Sequence, residues 1–274
     1  MWAPKTSMIR KLPIIGHPIG LGDLAYAIGH SLDRKAEDLF RQSLAEYLGL
    51  RHIYFLNSGL AAFYVILEAL KELSSRKEVI LPAYTAPNLI LAIGKAGLKP
   101  VLCDISLGDF NADINDVLRK VTPDTLCVLG VHMFGIPWQD IVSLRDKIGK
   151  DVFVVEDCAQ AFGAKIEALP AGSFSDAAFY SFNRGKNLPT YEGGCITVRN
   201  PPLTKGRWGG VNSDGLAKRI EEEVSKISNA GALHTASLAF KSLAVSLSFN
   251  PYFYGLFFPF ISCFKDNRVA LDFE

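Results

Sequence analysis

Apolar residues along this chain fall into short continuous runs, separated by longer segments with helical periodicity. Within the runs nearly every position is apolar, which is typical of strands that are buried on both faces of a sheet. The runs that predict strands are residues 52–56, 79–81, 100–102, 125–131, 152–155 and 177–182.

Between the runs, apolar residues recur every three or four positions, as on the buried face of a helix. Residues 31–49 show this spacing, and Gly49 stands where helices commonly end on glycine. The segment after Gly59 is apolar nearly all round, which predicts a buried helix. Further helices are predicted at residues 89–96, 113–120 and 138–148. Because strands and helices alternate, we predict an α/β fold with a mainly parallel sheet between helices.

Several residues that could bind a ligand or take part in catalysis directly follow predicted strands. They are Ser58, Gly59, Tyr84, His132 and Asp157, and Lys186 comes after the run at residues 177–182. Ligands of parallel sheets bind at the carboxyl ends of the strands, so one common site is predicted. Taken alone, His132 is either a lining residue of that site or a hydrogen-bonded structural histidine, and the structural role is the commoner one.

The Ser58-Gly59 turn joins a strand to the buried helix. Such a turn exposes backbone N–H groups at the positive end of a helix dipole, which suits a phosphate. Serine is also an ordinary N-cap residue, so the turn by itself leaves both interpretations open.

Lys186 and Asp157 together suggest a covalent cofactor site. A lysine amine forms Schiff bases with carbonyl compounds, and pyridoxal 5'-phosphate is such a compound. The cofactor also needs a carboxylate at its ring nitrogen and donors for its phosphate. Asp157 can supply the carboxylate, and Gln160 could reach the ring oxygen. Ser58, the Gly59 backbone and Ser181 could hold the phosphate, although a solvated Lys186 and a helix-capping Asp157 are ordinary alternatives.

Composition narrows the class of protein. The 274 residues are 49% hydrophobic and 21% charged, as in globular chains, and the net charge of +1 gives no footprint for nucleic acid. The five cysteines are scattered, which argues against a disulfide framework or a zinc site and for the reducing cytoplasm. Neither a GxGxxG nor a P-loop motif is present in the sequence.

Two segments bear on targeting and membranes. The first 20 residues contain prolines where a signal peptide needs an unbroken apolar core, so no targeting segment is expected there. Residues 242–264 carry no charge, but Asn250-Pro251 should break a spanning helix. Buried helices or a subunit interface are therefore favoured over membrane contact for this run.

Five segments, in order, resemble motifs of the DegT/DnrJ/EryC1/StrS aminotransferases. They are NSGLAAFYVILEAL, EVILPAYTAPNLILAIGKAGLKPVLCDIS, VHMFGIP, VVEDCAQAFGA and GSFSDAAFYSFNRGKNLPTYEGGCITV, within residues 30–200. The resemblance implies the aspartate-aminotransferase (type I) fold and transfer of an amino group, from glutamate or glutamine, to a nucleotide-linked keto sugar. It also implies a homodimer.

The same resemblance implies roles for particular residues. Lys186 would hold pyridoxal phosphate as a Schiff base and then shuttle the proton, where relatives with histidine catalyse dehydration. Asp157 would pair with the ring nitrogen and Gln160 with the ring hydroxyl. The phosphate would be held by Ser58, Gly59, Leu60 and Ser181.

This sequence departs from the family pattern in three ways. Ala86 stands where the family has an aromatic residue stacked on the cofactor, so Tyr84 is the proposed substitute. Leu60 replaces a threonine of the phosphate turn. The chain is also shorter than the family, so residues 1–200 are expected to form the cofactor-binding large domain and residues 201–274 the apolar, helical start of a truncated small domain.

Two other functions are compatible with these features. One is a catalytically incomplete protein that binds the cofactor or a partner, with possible membrane association through residues 242–264. The other is dehydration or elimination by the same lysine chemistry. Turnover by the single chain would exclude the first.

Overall fold

The computed structural model describes residues 21–30, 34–190, 192–199, 213–227, 237–238 and 240–241. Its contacts divide the chain into two units, residues 37–228 and residues 1–36 with 229–274. In the second of these units, Leu21–Gly29 form helix α1, whose Tyr26 ring stacks on His30. The uncharged run at residues 242–264 lies outside the described residues. Among the helices that are described, none has the length and apolarity needed to cross a membrane.

The remaining elements follow in chain order and begin with helix α2 at Arg34–Leu48. They are β1 His52–Leu56, α3 Gly59–Lys71, β2 Glu78–Pro82, α4 Pro87–Lys95, β3 Lys99–Cys103, α5 Ile114–Lys120, β4 Thr125–Val131, α6 Ile141–Ile148, β5 Phe153–Asp157, β6 Lys165–Ile166, β7 Leu169–Pro170, β8 Ala177–Ser181, β9 Gly194–Val198 and α7 Ser213–Ser225. Each predicted strand and helix is present, with shifts of a few residues at the ends. Strand β9, the β6–β7 hairpin and helix α1 were not predicted, and α7 lies within the segment 201–274 that was expected to be helical.

Seven strands form one sheet in the order β1-β9-β8-β5-β4-β2-β3. Strand β9 pairs antiparallel with both β1 and β8, and every other pairing in this sheet is parallel. Six strands therefore point the same way, which confirms the predicted mainly parallel α/β sheet. Their carboxyl ends, and the amino end of β9, share one edge of the sheet.

Helices cover both faces of the sheet. Along β2, Val79 and Leu81 pack into the cluster that contains α3, α4 and α7, whereas Ile80 packs on the opposite face with α5 and α6. Burial on both faces explains why the strands read as continuous apolar runs. Helix α3 is the central element of its face, and eight of its thirteen residues are buried.

Candidate active site

Ser58 caps the helix that leaves the first strand. Its backbone is extended (φ −163°, ψ 159°), and its Oγ accepts a hydrogen bond from the Ala61 N–H at 3.1 Å. The cap holds the first turn of α3 at the carboxyl edge of the sheet, where the positive end of the helix dipole favours an anion. The capping role of Ser58 and a phosphate site at this turn are therefore compatible. Leu60, in the same turn, is 38% exposed.

Three elements meet at Gly59 with no room for a side chain. A Cβ at Gly59 would lie 2.9 Å from Ser181 Cβ, at the end of β8. A Cβ at Gly194, which begins β9, would lie 2.5 Å from the Gly59 nitrogen. The two glycines thus let the α3 turn approach Ser181, whose Oγ accepts a long hydrogen bond of 3.5 Å from the Asn183 N–H.

Asp157 ends β5 and is buried. Its Oδ1 accepts a hydrogen bond from the Ala159 N–H at 2.9 Å, which fixes the orientation of the carboxylate. Burial raises the pKa of Asp157 above its ordinary value, while the Ala159 N–H and the positive charge of Lys186 act in the opposite direction. The negative charge of Asp157 is disfavoured by burial and favoured by nearby donors and cations, so the carboxylate is suited to a cationic partner.

Lys186 lies in the turn between β8 and β9, at the same edge of the sheet as Asp157. Its backbone N–H donates to the Asn183 carbonyl at 3.1 Å, and the residue is half-buried. The structure therefore brings the lysine within electrostatic range of Asp157, as the sequence predicts. Gln160 is exposed beside this edge. Gly135 (φ +79°) packs against the backbone carbonyl of Gln160, and a Cβ added to Gly135 would lie 2.9 Å from that oxygen.

His132 has a structural role. The Trp138 backbone N–H donates to Nδ1 at 3.0 Å, so the proton is on Nε2, which donates to Glu156 Oε2 at 2.9 Å. Glu156 also accepts the N–H groups of Gly172 and Phe174, each at 2.8 Å. Burial alone would raise the pKa of Glu156, but the hydrogen bonds from His132 and then Gly172 hold it below its ordinary value. The structural alternative for His132 is therefore correct.

A metal ion does not fit this group, although the donor atoms of His132, Glu156 and Cys158 all lie within 4.8 Å of one another. Both ring nitrogens of His132 already have partners. Burial, followed by the charge of Glu156, raises the pKa of Cys158 well above its ordinary value, so its thiol is protonated and a poor ligand. The hydrogen-bonded pair of His132 and Glu156 instead forms a support beside the end of β5.

Tyr84 follows β2 and is 50% exposed. Its ring centroid lies 5.9 Å from that of Phe110 and 6.1 Å from that of Phe134. Ala86, at the start of α4, offers no ring. Sequence reasoning missed Phe110 and Phe134, although both follow strand ends, because neither belongs to a recognised polar constellation.

A groove of about 380 Å³ runs from the α3 turn between helices α3 and α4. Ser58 and Leu60 line one end of it, and Lys95 lines the other with its Nζ 5.5 Å from the Tyr64 ring centroid. Lys95 thus places a positive charge in the groove, at the end away from the turn.

Comparison with known proteins gives a consistent result. Residues 29–228 match the model of the DegT/DnrJ/EryC1/StrS aminotransferase family. The chain is 31% identical over 183 residues to a GDP-perosamine synthase of Vibrio cholerae, covering 62% of this chain and 49% of that one. It is 32% identical over 167 residues to a dTDP-4-dehydro-2,3,6-trideoxy-D-glucose 4-aminotransferase of Saccharopolyspora spinosa, covering 60% and 43%. The chain thus spans about half the length of these relatives.

Solved structures share the fold. A putative sugar aminotransferase from Streptococcus pneumoniae, in its PLP-form, superimposes with a TM-score of 0.66 at 24% identity, covering 77% of this chain and 57% of that one. A GDP-4-keto-6-deoxy-D-mannose-3-dehydratase from E coli with bound hydrated PLP superimposes with a TM-score of 0.62 at 21% identity, covering 80% and 69%.

Proposed function

Because the chain belongs to the DegT/DnrJ/EryC1/StrS aminotransferase family, we propose that it is a pyridoxal-phosphate-dependent aminotransferase of nucleotide-linked keto sugars. The observation that carries the proposal is the meeting of the Ser58-Gly59 turn with Ser181 at the sheet edge where Asp157 and Lys186 also lie. These groups are the anion cradle, the buried carboxylate and the amine that pyridoxal phosphate requires.

The residues present fit the cofactor. Gly59 and Gly194 lack the side chains that would fill the cradle, so the first turn of α3 and the Ser181 hydroxyl can hold a phosphate together. Asp157 is buried, and the hydrogen bond that its Oδ1 accepts from the Ala159 N–H orients the carboxylate. A carboxylate held in this way is suited to pair with a protonated ring nitrogen. Gln160, exposed beside the same edge, is proposed for the ring hydroxyl, and Leu60 and Tyr84 complete the proposed surroundings.

Bound pyridoxal phosphate supplies an aldehyde that captures amines and a ring that accepts the electron pair of a broken C–H bond. Lys186 would hold the cofactor through Nζ, and the same nitrogen, when free, would accept the substrate proton and return it. Asp157 keeps the ring nitrogen protonated, which makes the ring the stronger electron acceptor. Ser58, Gly59 and Ser181 would keep the phosphate fixed and so hold the cofactor in one orientation.

The names of the relatives specify GDP- and dTDP-linked sugars, which supports a nucleotide-linked substrate. We propose that a nucleotide-linked keto sugar is the amino acceptor and that glutamate or glutamine is the donor. A homodimer in the cytoplasm is the proposed working form, since sites of this fold lie at a subunit interface. The division into domains at residue 200 remains a proposal.

A direct test reduces the cofactor-loaded protein with borohydride and locates the adduct by mass spectrometry. The adduct is expected on Lys186, together with an absorbance band near the visible edge that Lys186→Ala abolishes. Lys165→Ala, which changes an exposed lysine of β6, is the control and should keep both. The absence of a band in the native chain would refute the proposal.

Turnover separates the remaining alternatives. Amination of a GDP- or dTDP-linked keto sugar, with glutamate or glutamine consumed, is the expected result. Cofactor loading on Lys186 without any amination would instead support the cofactor-binding or interaction protein. Loss of water from the sugar without amination would support the dehydration alternative.

A further inference from the structure

Three exposed aromatic rings form a cluster on the loops after β2, β3 and β4. They belong to Tyr84, Phe110 and Phe134, and we name them the aromatic cluster. The ring centroids lie 5.8–6.1 Å apart, and the planes are inclined by 46–81° to one another. The three residues are 50%, 40% and 57% exposed, so the rings pack on each other but remain accessible.

Two of these residues have a backbone conformation that bulky side chains disfavour. Phe110 has φ 63° and Phe134 has φ 56°. Among the described residues, the other non-glycine positions with positive φ are Glu167 and Ala168, which form the two-residue turn of the β6–β7 hairpin. A hairpin of that length requires such a turn. Phe134 and Gly135 (φ +79°) are likewise the central residues of a turn, closed by the Ile136 N–H, which donates to the Met133 carbonyl at 2.9 Å. The loop of Phe110 is closed by its own N–H, which donates to the Ser106 carbonyl at 2.8 Å.

A buried amide holds both residues in these conformations. Asn111 donates from Nδ2 to the Ile136 carbonyl at 3.1 Å and accepts at Oδ1 from the Met133 N–H at 2.9 Å. Asn111 is fully buried and directly follows Phe110, while Met133 and Ile136 flank Phe134. One side chain thus fixes both loops, so two strained and exposed phenylalanines are specified by the fold. Strain maintained in this way commonly marks a functional surface.

The aromatic cluster borders the residues assigned to the cofactor. Gly135, next to Phe134, packs against the Gln160 carbonyl. The His132 N–H donates to the Asp157 carbonyl at 3.2 Å, which joins the start of the same loop to the end of β5. A ligand that reached outward from the cofactor across this side of the sheet edge would meet Phe110 and Phe134.

The size of the aromatic cluster suits one planar ring. An aromatic side chain has a surface of roughly 150–250 Å². At their exposed fractions, the three side chains together therefore present about 300 Å² to solvent. A stable interface between two protein chains needs about 800 Å² on each partner. Exposed aromatic rings stack bases without regard to their identity.

We propose that Phe110 and Phe134 form the surface on which the base of the nucleotide-linked substrate stacks. The proposal rests on the proposed function, because that function supplies the nucleotide. It assigns a binding role to two residues outside the cofactor site, with Tyr84 as the wall shared by the two parts.

The test measures calorimetric binding of GDP, dTDP and UDP to the cofactor-loaded protein, with inorganic pyrophosphate as the ligand that lacks a base. The double variant Phe110→Leu/Phe134→Leu keeps apolar side chains but removes both stacking faces. Its affinity for each nucleoside diphosphate should fall at least about tenfold, the loss expected for stacking partners. Pyrophosphate binding and pyridoxal phosphate binding should not change. Leu169→Ala alters a similarly exposed apolar residue on β7 and should leave all affinities unchanged.

A second variant, Phe110→Tyr/Phe134→Tyr, retains both ring faces and should bind the nucleoside diphosphates like the native chain. Native affinity in the leucine variant, or equal losses in the tyrosine and leucine variants, would overturn the proposal. So would nucleoside diphosphates that bind the native chain no more tightly than pyrophosphate. A change from dimer to monomer in sedimentation, with nucleotide affinity intact, would reassign the surface to a subunit contact. Failure of the cofactor to load is a separate readout and would refute the proposed function instead.

Discussion

His132 Nε2 lies 2.9 Å from Glu156 Oε2, and neither side chain has any exposed surface. Glu156 directly precedes Asp157 and also accepts hydrogen bonds from Gly172 and Phe174, both in the loop before β8. The pair therefore ties β4 and the loop before β8 to the end of β5. We infer that it positions the carboxylate assigned to the cofactor.

Glu156→Gln should lower the free energy of unfolding by about 3 kcal/mol, because an amide places N–H groups against N–H donors in a buried network. Urea denaturation measures this loss. The affinity for pyridoxal phosphate should fall as well, since Asp157 loses its support. Glu167→Gln, at the exposed hairpin turn, should change neither quantity. A variant with native stability would show that the network does not need the carboxylate.

Asp157→Asn should raise the melting temperature of the cofactor-free protein at pH 7. Burial raises the pKa of Asp157, so the folded state binds its proton more tightly than the unfolded state. Ionisation therefore destabilises the fold as the pH rises above the ordinary aspartate range, and asparagine can keep the Ala159 hydrogen bond. The difference between variant and native protein should shrink as the pH falls and Asp157 takes up a proton. Thermal unfolding at a series of pH values tests this.

The same variant should respond differently once pyridoxal phosphate is added. A charged Asp157 pairs with the protonated ring nitrogen, so the cofactor should raise the melting temperature of the native protein more than that of Asp157→Asn. Equal shifts in the two proteins would contradict the role proposed for Asp157.

Gly59→Ala should destabilise the fold by roughly 2 kcal/mol, as overpacking a tight contact does, because the new Cβ would overlap the Ser181 side chain. Pyridoxal phosphate affinity should fall in parallel as the α3 turn moves away from Ser181. Gly94→Ala is the matched control. It lies in a helix with no atom near its added Cβ, so stability should rise by up to about 1 kcal/mol. Chemical denaturation of both variants, with cofactor titration, distinguishes close packing from a general effect of glycine.

Ser58 variants should separate helix capping from phosphate binding. Ser58→Ala removes the cap of α3 and should lower stability by about 1 kcal/mol. Ser58→Asp restores a good cap but places a negative charge at the turn. It should therefore unfold like the native protein yet bind pyridoxal phosphate at least about tenfold more weakly, by the repulsion of like charges. Native cofactor affinity in Ser58→Asp would exclude a phosphate at this turn.

The sequence by itself determined the order of six strands and five helices, because continuous apolar runs and helical periodicity reflect burial that each segment carries locally. It also predicted that Ser58, Asp157 and Lys186 share one edge, since parallel strands place their carboxyl ends together. The family and the α/β fold predicted from the motifs are confirmed.

Only the tertiary structure decided which distant groups complete the site. Glu156 and His132 are 24 residues apart, and Asn111 and Met133 are 22 apart. The insertion of β9 between β1 and β8 likewise depends on pairing between remote segments. Periodicity shows that a position is buried, but a buried polar group must find its donors wherever the chain brings them. For this reason the support beneath Asp157 and the cluster around Phe110 and Phe134 became visible only in three dimensions.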